Sequence, residues 1–333
     1  MQVKVHLNKL ILKQTFTISH GSYNDRDQMI VELSAKNFSG FGETVAIDYY
    51  KVNIENLMAT GATIKPTIES LDTSLSPKEF YKELLRVLPK NPFLRAAFDC
   101  AFYQLKAKIA DISLREYLGI SEIREVESCI TIGITDSKES INAKLKQEWP
   151  FFKIKVNADE DREGLMKIIS DSGRSFGVDA NGSLSLRQAQ KMIDLVAKYD
   201  GTYVEQLMHK ESRSELHKLI LPKTLPHLAD ESVTDLQTAK ELCAFYDGFV
   251  LKLTKSGGIT PVMEIIKLAK SKNKKLLAGC MTESSIGINN MLALLPLFDF
   301  ADLDGAYLIN NDKTVTSFAD QTKRILQENG KFV

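Results

Sequence analysis

The chain has 333 residues, and its 43 basic residues balance its 43 acidic residues to a formal net charge of zero. Apolar residues make up 44% and charged residues 26%, which is typical of a globular protein with a full core. Proteins that bind nucleic acid or anionic membranes normally carry a basic excess, so this balance argues against both kinds of partner. We expect no membrane-embedded segment either, because no apolar run approaches the roughly 20 residues that span a bilayer.

The cysteines and the N-terminus bear on the cellular compartment. The four cysteines have neither the spacing of metal ligands nor that of a disulfide framework, which fits free thiols in a reducing compartment. They are Cys100, Cys129, Cys243 and Cys280. Residues 1–7 alternate between apolar and polar like a strand and lack the apolar core of a signal peptide. We therefore expect a soluble, cytoplasmic protein, and the sequence leaves open whether it forms a homo-oligomer.

Residues 1–125 are predicted to form a small α+β domain. Residues 3–12 and 28–35 have the pattern of paired strands, residues 19–27 that of a polar loop, and residues 40–43 that of a turn. Strands followed by helices are typical of an α+β unit. The helical segments, recognised by their apolar periodicity and N-cap residues, are 78–88, 93–109 and 113–118.

From about residue 126 the pattern changes, and short apolar runs alternate with amphipathic helical segments. The runs are 129–134, 151–156, 175–180, 202–205, 227–230, 248–253, 275–280 and 300–304. Eight strands that alternate with helices indicate an α/β fold with a closed barrel rather than an open sheet. We therefore predict a barrel domain over residues 126–308, with the tail 309–333 packing back on the first domain.

Two lysines, Lys153 and Lys155, interrupt the second of these runs. Side chains alternate between the faces of a strand, so the two lysines point the same way. Taken alone, the pattern is more typical of a half-exposed edge strand with a solvated lysine pair. If the strand is buried, two adjacent ammonium groups require anionic partners nearby.

Charged residues also end the runs that follow, each one β/α unit after the last. Asp179, Glu205, Asp230 and Lys252 succeed Lys155 at intervals of 22 to 26 residues. Any one of them alone is more often a helix N-cap or a rim charge. In a β/α barrel, however, the carboxyl ends of all strands meet at one mouth, where active sites form. Three carboxylates without histidine or cysteine suit Mg²⁺, so the two aspartates and the glutamate are predicted metal ligands.

A metal flanked by lysines has a definite chemical use. Removing the proton next to a carboxylate creates an enediolate, which needs a cation on its oxygens. We expect Lys153 and the metal to lower the pKa of Lys155 from about 10.4 toward neutrality, so that it can act as a base. Because Lys155 and Lys252 flank the metal from opposite sides, one can abstract a proton and the other can return one. Opposed lysines indicate racemisation or epimerisation, whereas one lysine and a leaving group would indicate elimination.

Five motifs stand at the ends of the predicted barrel strands. They are Lys153-Ile154-Lys155, Asp179-Ala180-Asn181, Glu205-Gln206, Ala229-Asp230-Glu231-Ser232 and Lys252. Their types and order resemble those of the enolase superfamily, in its muconate-lactonising-enzyme-like subgroup, and residues 40–43 and 281–284 resemble further landmarks of that family. The resemblance covers nearly the whole chain. It implies a modified TIM barrel of the (β/α)₇β type under an N-terminal α+β capping domain, with one Mg²⁺ per subunit and lysine bases.

Asp302 and Asp304 end the eighth run. Their spacing aims both carboxylates into the barrel, as a clamp for a cation, although an acidic pair on the surface is the alternative. Dipeptide epimerases of this subgroup carry Asp-x-Asp at this point, where it binds the α-ammonium of the substrate. The resemblance therefore implies a dipeptide epimerase whose lysines invert the α-carbon of the C-terminal residue. Lys153, Thr131 and Cys280 are further candidates for substrate binding, and the last two can equally be barrel packing.

The first loop of the capping domain bears on substrate preference. Relatives that epimerise Ala-Glu place an arginine there, which meets the glutamate side chain. Residues 18–23 contain no arginine, and Arg26 stands further along. We therefore expect small or hydrophobic dipeptides.

Two alternatives to a dipeptide epimerase remain. One is a lyase or cycloisomerase of the same subgroup, such as o-succinylbenzoate synthase, whose substrates offer no ammonium to Asp302 and Asp304. The other is a catalytically inactive barrel that serves as a binding scaffold, against which the intact lysines and carboxylates argue. Gly257-Gly258, after the sixth run, lacks the pattern of a phosphate-binding loop, although a loop at this place can still approach an anion.

Overall fold

The computed structural model of the protein describes residues 1–19, 21–121, 124, 126–158 and 162–310, together with the backbone of 331–332. Its N-terminal part, the capping unit, is a three-stranded antiparallel sheet with helices packed on it. The following part is an eight-stranded parallel sheet that curls into a barrel. The predicted fold class, a β/α barrel preceded by an α+β capping unit, is therefore confirmed. The domain boundary at residue 125 stays a prediction.

The antiparallel sheet contains β1 (Gln2–Ile18), β2 (Gly21–Ala35) and β3 (Phe38–Val45). The predicted pairing of the first two strands is confirmed, and Val3 lies opposite Leu33 with both side chains buried. One face of this sheet packs on helices, which explains the alternation of apolar and polar residues.

Beyond the sheet, β1 and β2 continue as a two-stranded arm (residues 13–19 and 21–27) that reaches the barrel mouth. The predicted polar loop is wrong for residues 21–27, which belong to β2, and Tyr23 pairs with Phe16 of β1. The arm is polar because its residues are exposed or half-buried. It contacts the barrel through the Tyr23 hydroxyl, which lies 2.8 Å from the Thr282 hydroxyl.

The predicted turn over residues 40–43 is also wrong, because these residues lie within β3. Gly40 and Gly42 stand where β3 packs against helix α3 (Pro92–Ile109). A Cβ atom on Gly42 would lie 2.0 Å from the carbonyl oxygen of Ala97. Glycine therefore permits the close approach of strand and helix here.

Among the described residues, the capping unit has three further α-helices besides α3. They are α1 (Ile54–Ser70), α2 (Pro77–Val87) and α4 (Leu114–Tyr117). The predicted helices over 78–88, 93–109 and 113–118 correspond to α2, α3 and α4 and are confirmed. The predictions omit α1, which has Pro66 in its interior, a residue type that normally ends a helix.

Each of the eight predicted runs forms one parallel strand of the barrel. The strands are β5 (Cys129–Ile132), β6 (Phe151–Lys155), β7 (Ser175–Asp179), β8 (Tyr203–Glu205), β9 (His227–Ala229), β10 (Gly248–Leu251), β11 (Lys275–Gly279) and β12 (Phe300–Asp302). Each strand pairs with the next in chain order. The last returns to the first, where the Leu303 N–H donates to the Ser128 hydroxyl at 3.0 Å.

A fully buried tyrosine fills the barrel interior below the mouth. The ring of Tyr203 lies 5.6 Å from that of Phe151 and 5.4 Å from that of Phe300, measured between centroids. A Cβ atom on Gly177 would lie 2.3 Å from the tyrosine ring, so glycine makes room for it. The barrel is thus a packed core, and its polar side chains gather above this layer.

The helices around the barrel, including a short one directly after β10, are named in chain order. They are α5 (Lys138–Leu145), α6 (Glu163–Asp171), α7 (Leu186–Lys198), α8 (Leu236–Leu242), α9 (Leu253–Ser256), α10 (Ile259–Ser271) and α11 (Ser285–Leu292). In the described part of the chain, no helix combines the length and the apolar character needed to cross a membrane.

Two short strands form a further pair, and the start of the tail contacts the capping unit. The strands β4 (Val126–Glu127) and β13 (Lys331–Phe332) pair with each other in antiparallel fashion. The Asn310 N–H donates to the Ile11 carbonyl of the capping unit at 2.7 Å. The predicted packing of the tail on that unit otherwise concerns residues 311–330 and 333, which lie outside the described residues.

We expect Gly42→Ala to destabilise the protein by about 1–3 kcal/mol in the free energy of unfolding, because the added methyl group overpacks the contact between β3 and α3. Urea denaturation followed by circular dichroism measures this change. Gly164→Ala is the matched control, because a Cβ atom on Gly164 of α6 meets no atom within 4 Å. Equal stability of the two variants would contradict the packing explanation.

Candidate active site

The carboxyl ends of five adjacent strands bring the predicted catalytic and metal-binding residues together. Lys155, Asp179 and Glu205 are the last residues of β6, β7 and β8, while Asp230 and Lys252 directly follow β9 and β10. Lys155 lies opposite Asp179, and Asp179 opposite Glu205, in the register of the parallel sheet. The regular spacing of these residues in the sequence therefore places their side chains at the same level of the barrel mouth.

Asp179, Glu205 and Asp230 form a compact carboxylate cluster. Each offers an oxygen atom within 4.8 Å of the others, and all three residues are buried. Burial raises the pKa of Glu205 well above its usual value, and the neighbouring charge of Asp179 raises it further. Burial also raises the pKa of Asp179 and Asp230, but adjacent ammonium groups outweigh it and hold both below the usual value. Three hard oxygen donors so close together fit a divalent cation such as Mg²⁺.

Lys155 and Lys252 approach this cluster from opposite sides, with β7, β8 and β9 between their strands. Lys155 Nζ lies 2.5 Å from Asp179 Oδ2, and Lys252 Nζ lies 2.7 Å from Asp230 Oδ2. Both lysine side chains are about nine-tenths buried and line the same cleft. Two amines thus face one space from two directions.

The pKa of Lys155 differs from the expected direction. Burial lowers the pKa of Lys155 and of Lys252 and is the largest single influence on each. The surrounding negative charges together outweigh it, chiefly Asp179 at Lys155 and Asp230 at Lys252 with Glu205 at both, and hold both pKa values above the usual lysine value. The repulsion from Lys153 lowers the pKa of Lys155 as expected, but it is the weaker effect. A cation bound to the carboxylates would neutralise the negative charge that now raises both lysine pKa values.

Lys153 lies beneath the cleft and is fully buried. Its Nζ atom lies 2.6 Å from Asp302 Oδ2, 2.9 Å from Glu205 Oε2 and 3.3 Å from Asp179 Oδ2. The ammonium group therefore joins the carboxylate cluster to the aspartate pair after β12. Contact between Lys153 and a substrate stays a prediction, and its observed partners are carboxylates of the protein.

Asp302 and Asp304 both line the cleft, as their spacing predicts, but their surroundings differ. The two oxygens of Asp302 accept from Lys153 and, at 3.1 Å, from the Cys129 thiol. Asp304 Oδ2 accepts the Thr131 N–H at 2.7 Å. Burial and the adjacent Asp302 raise the pKa of Asp304 to about 6. Burial also raises the pKa of Asp302, but Lys153 and Lys155 together outweigh it and hold that pKa below the usual value.

The cleft above these residues lies between the barrel mouth and the capping unit. Thr131 and Cys280, the two further candidates, line it. Its remaining wall is largely apolar or aromatic and comes mostly from the capping unit. The apolar and aromatic wall residues are Phe16, Ile18, Tyr23, Ile47, Tyr49, Tyr50, Met281 and Leu308.

Two polar residues to which the sequence analysis assigned no role hold Asp230 in place. Gln206 Oε1 accepts the Asp230 N–H at 3.0 Å, so the residue after one carboxylate fixes the backbone of the next. Lys255 is buried and donates to the Asp230 carbonyl and, at 2.5 Å, to Asp230 Oδ1. A helical spacing of three residues from Lys252 was the available signal for Lys255.

A family model described as Enolase C-terminal domain-like matches residues 136–321, which is more than half of the chain. The chain belongs to the enolase superfamily. This confirms the resemblance stated from the strand-end motifs. Dipeptide epimerases are prominent among the similar proteins, which also include a muconate lactonizing enzyme.

Three of these similar proteins illustrate the range of this superfamily branch. The L-Ala-D/L-amino acid epimerase of Maribacter sp. is 32% identical over 94% of this chain and 92% of its own length. The hydrophobic dipeptide epimerase of a Flavobacteria bacterium is 30% identical over 93% and 91%. The crystal structure of the dipeptide epimerase from Enterococcus faecalis V583, complexed with Mg and L-Leu-L-Tyr, superposes with a TM-score of 0.85 at 27% identity, covering 93% and 91%.

We expect Lys153→Met to lower the free energy of unfolding by about 3–5 kcal/mol in metal-free protein, because it leaves buried carboxylates without their common partner. Urea denaturation at neutral pH measures the loss. Lys9→Met is the control, since Lys9 pairs with Asp25 and Asp27 at the surface and its removal should leave the midpoint nearly unchanged. A loss at Lys153 as small as that at Lys9 would contradict the central role of this ammonium group.

Proposed function

We propose that the protein is a Mg²⁺-dependent dipeptide epimerase that inverts the α-carbon of the C-terminal residue of its substrate. The observation that carries this proposal is the joint presence of opposed lysines, a carboxylate cluster and an aspartate pair around one cleft. The epimerases that are similar over more than nine-tenths of the chain support it.

Asp179, Glu205 and Asp230 would hold the Mg²⁺. When bound, the ion supplies positive charge that stabilises the negative charge developing on the substrate carboxylate during proton removal. Gln206 and Lys255 keep Asp230 oriented for this role through its backbone and its second carboxylate oxygen. Magnesium in the similar crystal structure from E. faecalis supports the choice of metal.

Lys155 and Lys252 are the proposed pair of bases. A substrate α-carbon held between them loses its proton to the neutral amine on one side and receives a proton from the ammonium on the other side. The two transfers invert the configuration, and the two lysines exchange their protonation states. Their side chains are about nine-tenths buried, which limits the access of bulk water that would otherwise compete as a proton donor.

Asp302 and Asp304 are proposed to bind the N-terminal ammonium of the dipeptide. The two carboxylate oxygens of Asp302 already accept hydrogen bonds from Lys153 and Cys129. Asp304 is therefore the principal partner for the ammonium, and Asp302 adds long-range attraction. A lyase or cycloisomerase of the same superfamily acts on substrates without an ammonium and would have no use for this pair. The aspartates therefore favour the epimerase over that alternative.

The preferred substrates are proposed to be small or hydrophobic dipeptides. The apolar and aromatic residues of the cleft wall suit apolar side chains. Arg26 also lines the cleft, but it stacks on the Tyr23 ring at 3.9 Å and donates to the Ala46 carbonyl at 2.7 Å. These contacts engage the guanidinium group within the capping unit.

We also propose that the enzyme works in the cytoplasm. Its four cysteines all lie in the described part of the chain and carry free thiols, which fits a reducing compartment.

Incubation with a library of dipeptides in D₂O and Mg²⁺ should introduce deuterium at the α-carbon of the C-terminal residue, because both lysines exchange their protons with solvent. Mass spectrometry of the recovered dipeptides measures the exchange. Treatment with a chelator should stop it, and added Mg²⁺ should restore it.

Lys155→Ala and Lys252→Ala are the matched variants for this experiment, and each should abolish epimerisation. Full turnover by either variant would remove that lysine from the mechanism. The absence of exchange with every dipeptide in the wild-type protein would overturn the proposed function.

Asp304→Asn should weaken dipeptide binding roughly tenfold to hundredfold, because a charged hydrogen bond to the ammonium is lost, while Mg²⁺ affinity stays unchanged. In the wild type, dipeptide binding should also weaken as the pH falls through about 6, since Asp304 is then protonated and neutral. KM values and calorimetric titrations with Mg²⁺ measure the two effects.

Asp299→Asn is the control for Asp304→Asn, because Asp299 precedes the same strand at its other end and pairs with Lys275. It should change neither KM nor its pH dependence. Equal losses of dipeptide and Mg²⁺ binding in Asp304→Asn would contradict the assigned role.

A further inference from the structure

The glycine turn after helix α9, five residues beyond Lys252, contacts a carboxylate of the capping unit. Gly257 and Gly258 connect α9 to α10, and the carboxylate of Asp99 from α3 lies at the start of α10. Asp99 is fully buried. The anionic group at the glycine pair is therefore a carboxylate of the same chain rather than a phosphate group.

Several hydrogen bonds hold this carboxylate. Asp99 Oδ2 accepts the Thr260 N–H at 2.8 Å, and Oδ1 accepts the Thr260 hydroxyl at 2.8 Å. The backbone of Ile259 also favours the charged form of Asp99. Burial raises the pKa of Asp99 to about 7, and these donors oppose the rise. A side chain of the capping unit thus supplies the N-terminal cap of a barrel helix that has none from its own residues, since Gly258 precedes it.

The turn itself is shaped to fit α3. Gly257 and Gly258 have φ angles of 94° and 118°, which only glycine adopts without strain. A Cβ atom on Gly258 would lie 2.5 Å from Asp99 Oδ2, and one on Gly257 would lie 2.8 Å from the Tyr81 hydroxyl. Backbone conformation and steric fit therefore both tie the turn to the capping unit.

The same turn ends the helix that begins at Lys252. Lys252 is the N-cap residue of α9, and its carbonyl accepts the Ser256 N–H at 3.1 Å. The N–H groups of Gly257 and Gly258 both donate to the Leu253 carbonyl, at 3.0 and 2.9 Å. The backbone of Lys252 is thus separated from the clamped turn by a single hydrogen-bonded helical turn.

We propose that Asp99 is a positioning residue for Lys252, which it holds in place by clamping the turn between α9 and α10 to the capping unit. This inference rests on the proposed epimerase function. Lys155 lies within the ladder of β6 and β7, so its backbone has a support that is independent of Asp99. Loss of the clamp should therefore impair one base and spare the other.

The distinguishing measurement is the α-proton exchange in D₂O that starts from each epimer of one dipeptide. Lys252→Ala identifies the epimer whose proton faces Lys252, because exchange from that epimer stops. In Asp99→Asn, exchange from the same epimer should fall about tenfold to hundredfold, because a displaced base loses reactivity steeply. Exchange from the other epimer should change less than about threefold.

Two further variants separate positioning from general destabilisation. Thr260→Val removes one donor to Asp99 and keeps the backbone N–H, so it should give the same asymmetry at smaller amplitude in a folded protein. Gln104→Ala is the matched control on α3, because Gln104 donates to Asn290 of α11 at 3.1 Å and its loss should affect both epimers equally.

A second readout needs no turnover. Competitive labelling of amines in the absence of substrate, followed by mass spectrometry, measures the reactivity of Lys252 relative to Lys155. This ratio should change in Asp99→Asn and should stay the same in Gln104→Ala. Equal losses for both epimers, or an unchanged labelling ratio, would overturn the inference. A wild type without any exchange would overturn the proposed function, and the labelling ratio would then still decide whether Asp99 positions Lys252.

Discussion

The buried contact between Lys153 and three carboxylates is the interaction on which the barrel mouth depends. Each isolated charge would cost several kcal/mol to bury, so these groups are tolerated because they alternate in sign at hydrogen-bonding distance. Lys153 reaches Glu205 of the carboxylate cluster and Asp302 of the aspartate pair with one ammonium group. The proposed metal site and the proposed ammonium site therefore share one electrostatic support.

The capping unit contributes to the site in two separate ways. Its arm and the segment with Tyr49 and Tyr50 form much of the apolar cleft wall, which bears on the choice of substrate side chain. Its helix α3 packs against the loops behind the mouth, where Asp99 caps α10 and the glycines of β3 permit close contact. The proposed substrate selection and the proposed positioning of Lys252 therefore depend on different faces of the same unit.

The strongest and the weakest predictions have identifiable physical origins. Asp179, Glu205 and Asp230 were recognisable because a β/α barrel repeats at a nearly constant interval, which brings strand-end residues to one height. Residues 21–27 of the arm were predicted as a loop because a strand exposed on both sides has no apolar alternation. Gly40 and Gly42 were predicted as a turn because a glycine needed for close packing has the same composition signal as a glycine needed for a turn.

Periodicity and strand-end chemistry, both local along the chain, were enough to establish the barrel, the three carboxylates, the opposed lysines and the spacing of Asp302 and Asp304. Tertiary packing decided which side chains contact each other and in which direction their pKa values shift. Lys153 became a buried link between carboxylates, and the pKa of Lys155 rose because Asp179 lies 2.5 Å away. Gln206, Lys255 and Asp99 acquired their roles in the same way. Distances between residues remote in the chain set electrostatic energies, and those distances exist once the barrel has closed and the capping unit has packed on it.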